Sequence, residues 1–236
     1  MNLLILTSDD CPEPGLARLS GRRLEHVKNV HRAVVGDTLR VGMLGGLMGS
    51  AEIISLSRDE LILRTDLDSL PPEKLPLTLL LSLPRPKMLK RILQTVASMG
   101  VARLVLMNSY RVEKSFWDSP WLQPAVMHEQ LLLGLEQARD TVLPEILIEP
   151  LFKPFVEDRL PELCHGTRCY VAHPGVTEHC PVALNQPLTL AIGPEGGFIP
   201  YEVDKLVETG FEAVNLGPRI LRVETAVTAL VARLFV

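Results

Sequence analysis

Nowhere in its 236 residues does the sequence hold an apolar run of the roughly 18 residues that a membrane-spanning helix needs. The opening stretch Leu3, Leu4, Ile5, Leu6 is too short for the core of a secretion signal, and no basic residue precedes it. It reads as a first β-strand, and the expected location is cytoplasmic, with no membrane partner. Cysteine is scarce. Cys11, Cys164, Cys169 and Cys180 form no Cys-x-x-Cys pair and match no common zinc spacing, so free thiols of a reducing compartment are expected, with no metal. Also missing are the G-x-G-x-x-G dinucleotide fingerprint, the G-x-x-x-x-G-K-[ST] phosphate loop, the G-x-S-x-G nucleophile elbow and the H-E-x-x-H zinc helix. Nicotinamide and ATP chemistry are thereby disfavoured. Internal repeats and low-complexity tracts are absent too.

What is present suits a packed core: 47% of residues are hydrophobic and 22% charged, enough for one large domain or two smaller ones. A net charge of −4 speaks weakly against a nucleic-acid partner, but its distribution reverses that. Residues 1–114 hold 16 Lys and Arg against 12 Asp and Glu, whereas residues 115–236 hold 8 against 16. Residues 18–40 carry six bases and two acids, and residues 85–114 carry seven and one. Such clusters either meet phosphates or form solvated faces.

Residues 67–76 contain three prolines and read as a linker. Before it, short strands are expected at 3–6, 38–41, 51–56 and 60–64, separated by turns at Gly36-Asp37 and Gly45-Gly46. A short helix capped by Ser20 runs through Leu24, Val27 and Val30. This pattern suggests a small barrel. After it, strands and helices alternate. Strands are expected at 77–83, 104–107, 146–148, 169–172, 188–192 and 213–216. Helices are expected at 86–99, 122–138 and 225–234, the first with Met88, Ile92, Val96 and Met99 facing the core. The alternation predicts an α/β domain with a mostly parallel sheet, whose ligand lies beyond the carboxyl ends of the strands.

Two stretches carry the chemistry. IGPEGGF, residues 192–198, leaves a buried strand through a turn of three glycines, a proline and one acid; glycine lets backbone amides approach a ligand closely. LGPRILRVETA, residues 216–226, repeats the strand–Gly-Pro–helix arrangement and adds Arg219, Arg222 and Glu224 around Ile220 and Leu221. Taken alone, each is either a tight structural turn with a bracing ion pair or a pocket whose charges face a ligand.

Together, about twenty residues apart, these stretches resemble the RsmE family of ribosomal RNA small-subunit methyltransferases. The resemblance extends to His26, Arg32, Gly36-Asp37, Gln137 with Pro144, and His173-Pro174. It implies an N-terminal PUA-like RNA-binding barrel over residues 1–70 and a C-terminal SPOUT domain over residues 77–236, an α/β fold whose last elements thread a trefoil knot. It implies S-adenosylmethionine held in a bent form, a homodimer with the cofactor site near the interface, and methylation of N3 of a uridine in 16S rRNA of the small ribosomal subunit. On this mapping the cofactor pocket takes Ala172, His173 and Pro174 from one loop. It takes Ile192, Gly193, Gly196 and Gly197 from a second, and Leu216, Gly217, Ile220, Leu221 and Arg222 from a third.

A sulfonium methyl is already activated, so the implied reaction needs alignment and removal of the N3 proton. Alignment supplies about 7–11 kcal/mol of such barriers. Glu224 and Glu195 are the carboxylates available as base, or else structural acids accepting loop amides or pairing with Arg222. Arg222 or Arg219 would stabilise the uridine anion. His173 either packs on the adenosine or serves as base. The implied RNA contacts are Arg18, Arg22, Arg23, Lys28 and Arg32 in the first part, and Lys87, Lys90, Arg91, Arg111 and Lys114 in the second. Tyr110, Phe116 and Trp117 beside the second group are expected mainly in core packing. Two departures from the family pattern stand out. No acid precedes Gly100, and the long helix reads Glu136-Gln137-Ala138-Arg139, one position short of the usual Glu-Gln-x-x-Arg, with Asp140 in the usual slot. A non-catalytic RNA-binding or ribosome-assembly factor, or a SPOUT enzyme acting on another rRNA or tRNA base, are the competing readings.

Overall fold

The computed structural model describes residues 2–235; Met1 and Val236, the outer bounds of the two expected domains, lie outside the described residues. The chain forms two compact units, each with its own sheet. One comprises the residues up to Glu73 together with Leu131–Leu143, and the other Lys74–Gln130 with everything from Pro144 onward.

In the first unit, β1 (Leu4–Leu6), β2 (Leu16–Leu19), β3 (Thr38–Met43), β4 (Met48–Leu56) and β5 (Leu61–Ser69) build one sheet in the order β1-β3-β4-β5-β2. β1 lies parallel to β3 and every other pairing is antiparallel. The sheet curls but stays open, because the edge strands β1 and β2 pair with no further strand among the described residues. The expected barrel is therefore a half-barrel: edge strands of three and four residues are too short to close the ladder. Period-two alternation puts Ala51, Ile53, Leu61 and Leu63 into the core with Leu4, Leu6, Leu19 and Val41. Gly49 sits at a bulge where the β4 and β5 backbones close in. A Cβ there would lie 2.0 Å from the Asp66 carbonyl oxygen.

Helix α1 (Gly21–His26) continues into a π-helical turn, Val27–His31. Ser20 occupies the N-cap position but its side chain makes no capping hydrogen bond. Leu24 and Val27 are buried as expected, whereas Val30 is 65% exposed, because the wider turn rotates it off the buried face. The proline-rich linker is shorter than its composition suggests. Strand β5 runs through Ser69 and β6 starts at Leu75.

In the second unit the strands are β6 (Leu75–Ser82), β7 (Val101–Met107), β8 (Glu145–Glu149), β9 (Arg168–Ala172), β10 (Leu188–Ile192) and β11 (Glu212–Val214). They form a sheet in the order β11-β9-β10-β6-β7-β8, parallel throughout. The central strands β6 and β10 are buried on both faces, which explains their continuous apolar sequences. The connections hold α2 (Pro86–Ser98), the short turns α4 (Phe152–Pro154) and α5 (Leu160–Leu163), α6 (Pro200–Glu208) and α7 (Val223–Phe235), while α3 (Pro124–Ala138) starts in this unit and from Leu131 belongs to the first. Helix α2 buries Leu89, Ile92, Leu93, Val96 and Ala97. Ile92 and Val96 are thus buried as expected, whereas Met88 and Met99 at the two ends of the expected stripe are only half-buried. Helix α7 buries Val223, Val227, Leu230, Val231 and Leu234 at helical spacing. No helix among the described residues is long and apolar enough to cross a membrane.

One ion pair braces the first unit. Both Arg23 guanidinium nitrogens reach the Asp10 carboxylate at 2.6 Å, and Thr7 adds its amide at 2.7 Å and its hydroxyl at 2.8 Å. Burial pushes the Asp10 carboxyl up, but Arg23 and Thr7 outweigh it and hold the net value below the ordinary carboxylate range. A lowered folded-state value contributes stability above the unfolded pKa of 3.8, lost as pH falls through the folded value. Asp10→Asn should therefore cost about 2–3 kcal/mol at neutral pH, since it leaves a partly buried guanidinium without its counterion. In urea unfolding across pH, the deficit should shrink once the pH drops below 3.8. A deficit unchanged at low pH would show that the ion pair is not its source.

Candidate functional site

Strands β11, β9 and β10 are neighbours and parallel, so their carboxyl ends share one edge. Ala172 ends β9, Ile192 ends β10 and Val214 ends β11, with Ile192 and Val214 each paired in register with Ala172. Three loops consequently leave the sheet side by side.

Asn215 joins the first loop to the third. Its Oδ1 accepts the Gly217 N–H at 2.7 Å and lies 3.0 Å from His179 Nδ1, while its Nδ2 donates to the Val176 carbonyl at 2.7 Å. Backbone bonds from Cys180 to Asn215 and from Asn215 to Glu178 close the same junction. The glycine turn after β10 is clamped separately. Gly197, at φ +73°, donates to the Pro194 carbonyl at 2.8 Å. Glu202, only 2% exposed in the first turn of α6, accepts the Ile199 N–H at 2.9 Å and the Tyr110 N–H at 2.6 Å. Arg111 donates to the Gly196 carbonyl, and Glu195 accepts the Arg85 N–H at 3.0 Å. Asn215, Glu202 and Arg85 were not singled out from sequence as site residues. An Asn two residues before Gly-Pro and a Glu three residues after an N-cap position are local turn and capping signals, and Arg85 is marked only as one base of the cluster at 85–114.

Two clefts adjoin this edge. The first has a volume of about 200 Å³ and opens to solvent. All the expected cofactor-pocket residues line it except Arg222, so the structure gathers Ala172, His173 and Pro174 with Gly193, Gly196 and Gly197 and with Leu216, Gly217, Ile220 and Leu221. Its deep wall is apolar, from Val223, Ala226 and Leu230 of α7. Arg222 belongs to the second cleft, with Glu224, Arg85, Lys87 and Phe116. Glu195, Ile220 and Leu221 line both, so the clefts are contiguous, and Ile220 stands between them 83% exposed. The Glu224 carboxylate has no hydrogen-bond partner among the described residues, whereas Glu195 holds Arg85.

The basic candidates divide. Arg22 donates to both oxygens of the buried Glu136, at 2.8 and 3.1 Å, and Arg23 is bound to Asp10. Arg18 lies 3.8 Å from Glu60, and Lys28 donates to the Arg58 carbonyl. Arg32 is exposed at φ +52°. In the second group Lys87 lines the second cleft and Arg111 braces the glycine turn. Lys90 stands 5.2 Å from the Trp121 ring centroid, and Arg91 and Lys114 are exposed. Tyr110 is 78% exposed, contrary to a core role, while Trp117 donates to Asn108 and Phe116 lines the second cleft. Asp140 is buried and accepts the Val142 N–H at 2.9 Å, which makes it part of the turn after α3. Among the described residues no three His, Cys, Asp or Glu side chains gather as a metal site.

Comparison with known proteins agrees with this arrangement. A family model described as an RNA methyltransferase domain matches residues 71–235. The chain is 32% identical over 241 residues to ribosomal RNA small subunit methyltransferase E of Treponema pallidum, covering 98% of this chain and 90% of that protein. It is 26% identical over 238 residues to the protein of the same name from Mycobacterium bovis, covering 96% and 88%. Ribosomal RNA small subunit methyltransferase E of Neisseria gonorrhoeae, solved bound to S-adenosyl methionine, shares the fold with a TM-score of 0.74 at 21% identity, over 98% of this chain and 95% of that one.

Removing the Glu202 carboxylate tests the clamp on the glycine turn. Glu202→Ala deprives the Ile199 and Tyr110 amides of their acceptor, and should cost about 2–4 kcal/mol in urea unfolding. Both amides should exchange hydrogen faster. Unchanged exchange would mean the turn is held by other contacts.

Proposed function

Because this chain belongs to the ribosomal RNA small subunit methyltransferase E family, we propose that it transfers a methyl group from S-adenosylmethionine to RNA of the small ribosomal subunit, at N3 of a uridine in 16S rRNA. The observation that carries this reading is the convergence of three glycine- or proline-bearing loops on one cleft, contiguous with a second that holds Arg222 and the carboxylates Glu113, Glu195 and Glu224.

The first cleft fits S-adenosylmethionine. Its apolar wall of Leu216, Val223, Ala226 and Leu230 suits an adenosine ring, and backbone groups of the loops offer polar contacts at its rim. Side chains are excluded where the backbone must come close: a Cβ on Gly193 would lie 2.9 Å from the Phe198 amide nitrogen. When bound, the cofactor supplies an electrophilic sulfonium methyl. The remaining work falls to residues of the second cleft. Glu224, with its carboxylate unengaged, removes the N3 proton. Arg222 stabilises the negative charge that develops on the uracil ring. Glu195 keeps the glycine turn against the start of α2 through the Arg85 amide and acts as a positioning residue.

The first unit is read as a PUA-like RNA-binding domain and the second as a SPOUT domain whose last elements form a trefoil knot. The side-by-side loops after β9, β10 and β11 support that reading. The exposed Ile220 and Leu221 beside both clefts support a homodimer that covers them. The proposed location is the cytoplasm, where the rRNA substrate is made.

Mass spectrometry of 16S rRNA from a strain lacking the gene tests the assignment: one N3-methyluridine should be absent, and its persistence would overturn the reading. With purified protein, Glu224→Gln should lower kcat by about 10²–10⁴-fold while calorimetry shows S-adenosylmethionine affinity within a few-fold of wild type. A kcat that hardly changes would remove Glu224 from the base role.

A further inference from the structure

We infer that the first unit carries a separate nucleotide site, a cleft in which Arg40, Arg139 and His31 receive a backbone phosphate of the RNA substrate. The inference rests on the reading of the protein as an RNA methyltransferase and adds a contact outside the two methyl-transfer clefts.

The cleft lies among Asn2, Val27, His31, Leu39, Arg40 and Arg139, with a volume of about 250 Å³. Its charge is of one sign, for no acidic side chain among the described residues lines it. Among the described residues neither Arg40 nor Arg139 has an ion-pair or hydrogen-bond partner, in contrast to Arg22 and Arg23 of the same unit, which Glu136 and Asp10 neutralise. A guanidinium does not shed its proton to relieve repulsion. Two of them beside an imidazole around one concavity are therefore poised for an anion from outside. Two guanidinium forks match a phosphate.

Arg139 adds an independent observation. The Asp140 amide reaches back to the Leu135 carbonyl at 3.2 Å, the six-to-one bond of a Schellman ending to α3, and Arg139 takes the left-handed position at φ +60°. Glycine ordinarily fills that position because it has no Cβ to strain. The arginine there accepts strain that glycine would avoid, and its side chain lines the basic cleft.

This strain makes a clean test available, since Arg139→Gly removes the charge without harming the fold. Filter binding of unmethylated 16S rRNA by the full-length protein should be measured between roughly 50 and 200 mM salt. For Arg139→Gly/Arg40→Gln, Kd at the lowest salt should rise about tenfold or more, and the slope of log affinity against log salt should fall by about one to two. The urea midpoint of Arg139→Gly should stay level or rise, and S-adenosylmethionine affinity of both variants should be unchanged. Arg64→Gln, which removes an exposed arginine paired with Glu52 at 3.0 Å elsewhere on the same sheet, should leave Kd and slope near wild type. A double variant that binds rRNA like wild type, or an equal loss from Arg64→Gln, would overturn the site while leaving the methyltransferase reading intact. A wild-type protein that neither binds nor methylates 16S rRNA would overturn that reading itself.

Discussion

Three strands, β11, β9 and β10, run parallel and in register to a common edge, and the site depends on that ladder. Hydrogen bonding between neighbouring strands sets their separation at about 4.8 Å, so three loops leave the sheet within reach of one small molecule. The loops are far apart in sequence, near residues 173, 193 and 215, and the strand order brings them together because β9 is inserted between β11 and β10. An α/β sheet of this kind places a ligand beyond the carboxyl ends of its strands. Here the glycine turn and the Gly-Pro turn form the opposed rims of that position.

The loops themselves need support, and polar side chains provide it. Asn215 bonds the first loop to the third through both ends of its amide, and Glu202 bonds the glycine turn to the segment after β7. Each is buried and each spends its hydrogen-bonding capacity on backbone groups that would otherwise be unsatisfied. The result is a division of labour among the acids. Glu202 and Glu195 hold the turn, while Glu224 is left unengaged in the adjoining cleft. Among the bases a similar sorting occurs. Arg22, Arg23 and Arg111 are tied into the structure, whereas Arg40 and Arg139 have no counterion among the described residues. Charge clusters seen along the chain thus resolve into bracing residues and available ones only when their neighbours are known.

Much of the second unit was legible from residue order. The buried strands β6 and β10, the apolar stripe of α7 and the two Gly-Pro stretches all carry local patterns that survive folding unchanged. The first unit was harder to read. The four-residue β2 is too short for alternation to stand out, the π-helical turn shifts Val30 out of the apolar face, and a half-barrel and a barrel have the same strand pattern. In α2 the expected stripe held at Ile92 and Val96 but not at Met88 and Met99, where Leu89, Leu93 and Ala97 are buried instead, since Met and Leu are equally apolar and only the packing partner decides which turns inward.

Residue order by itself determined the secondary-structure rhythm and the family resemblance, because each rests on side-chain type and spacing within a dozen or so positions. Tertiary structure alone decided which loops meet, which acids hold the glycine turn and which arginines are bound by carboxylates. Those outcomes depend on pairings such as Arg22 with Glu136 and Tyr110 with Glu202, made across about a hundred residues of chain. Hydrogen bonds and charges act over a few ångströms of space, and separation along a sequence says little about that distance until the sheet has formed.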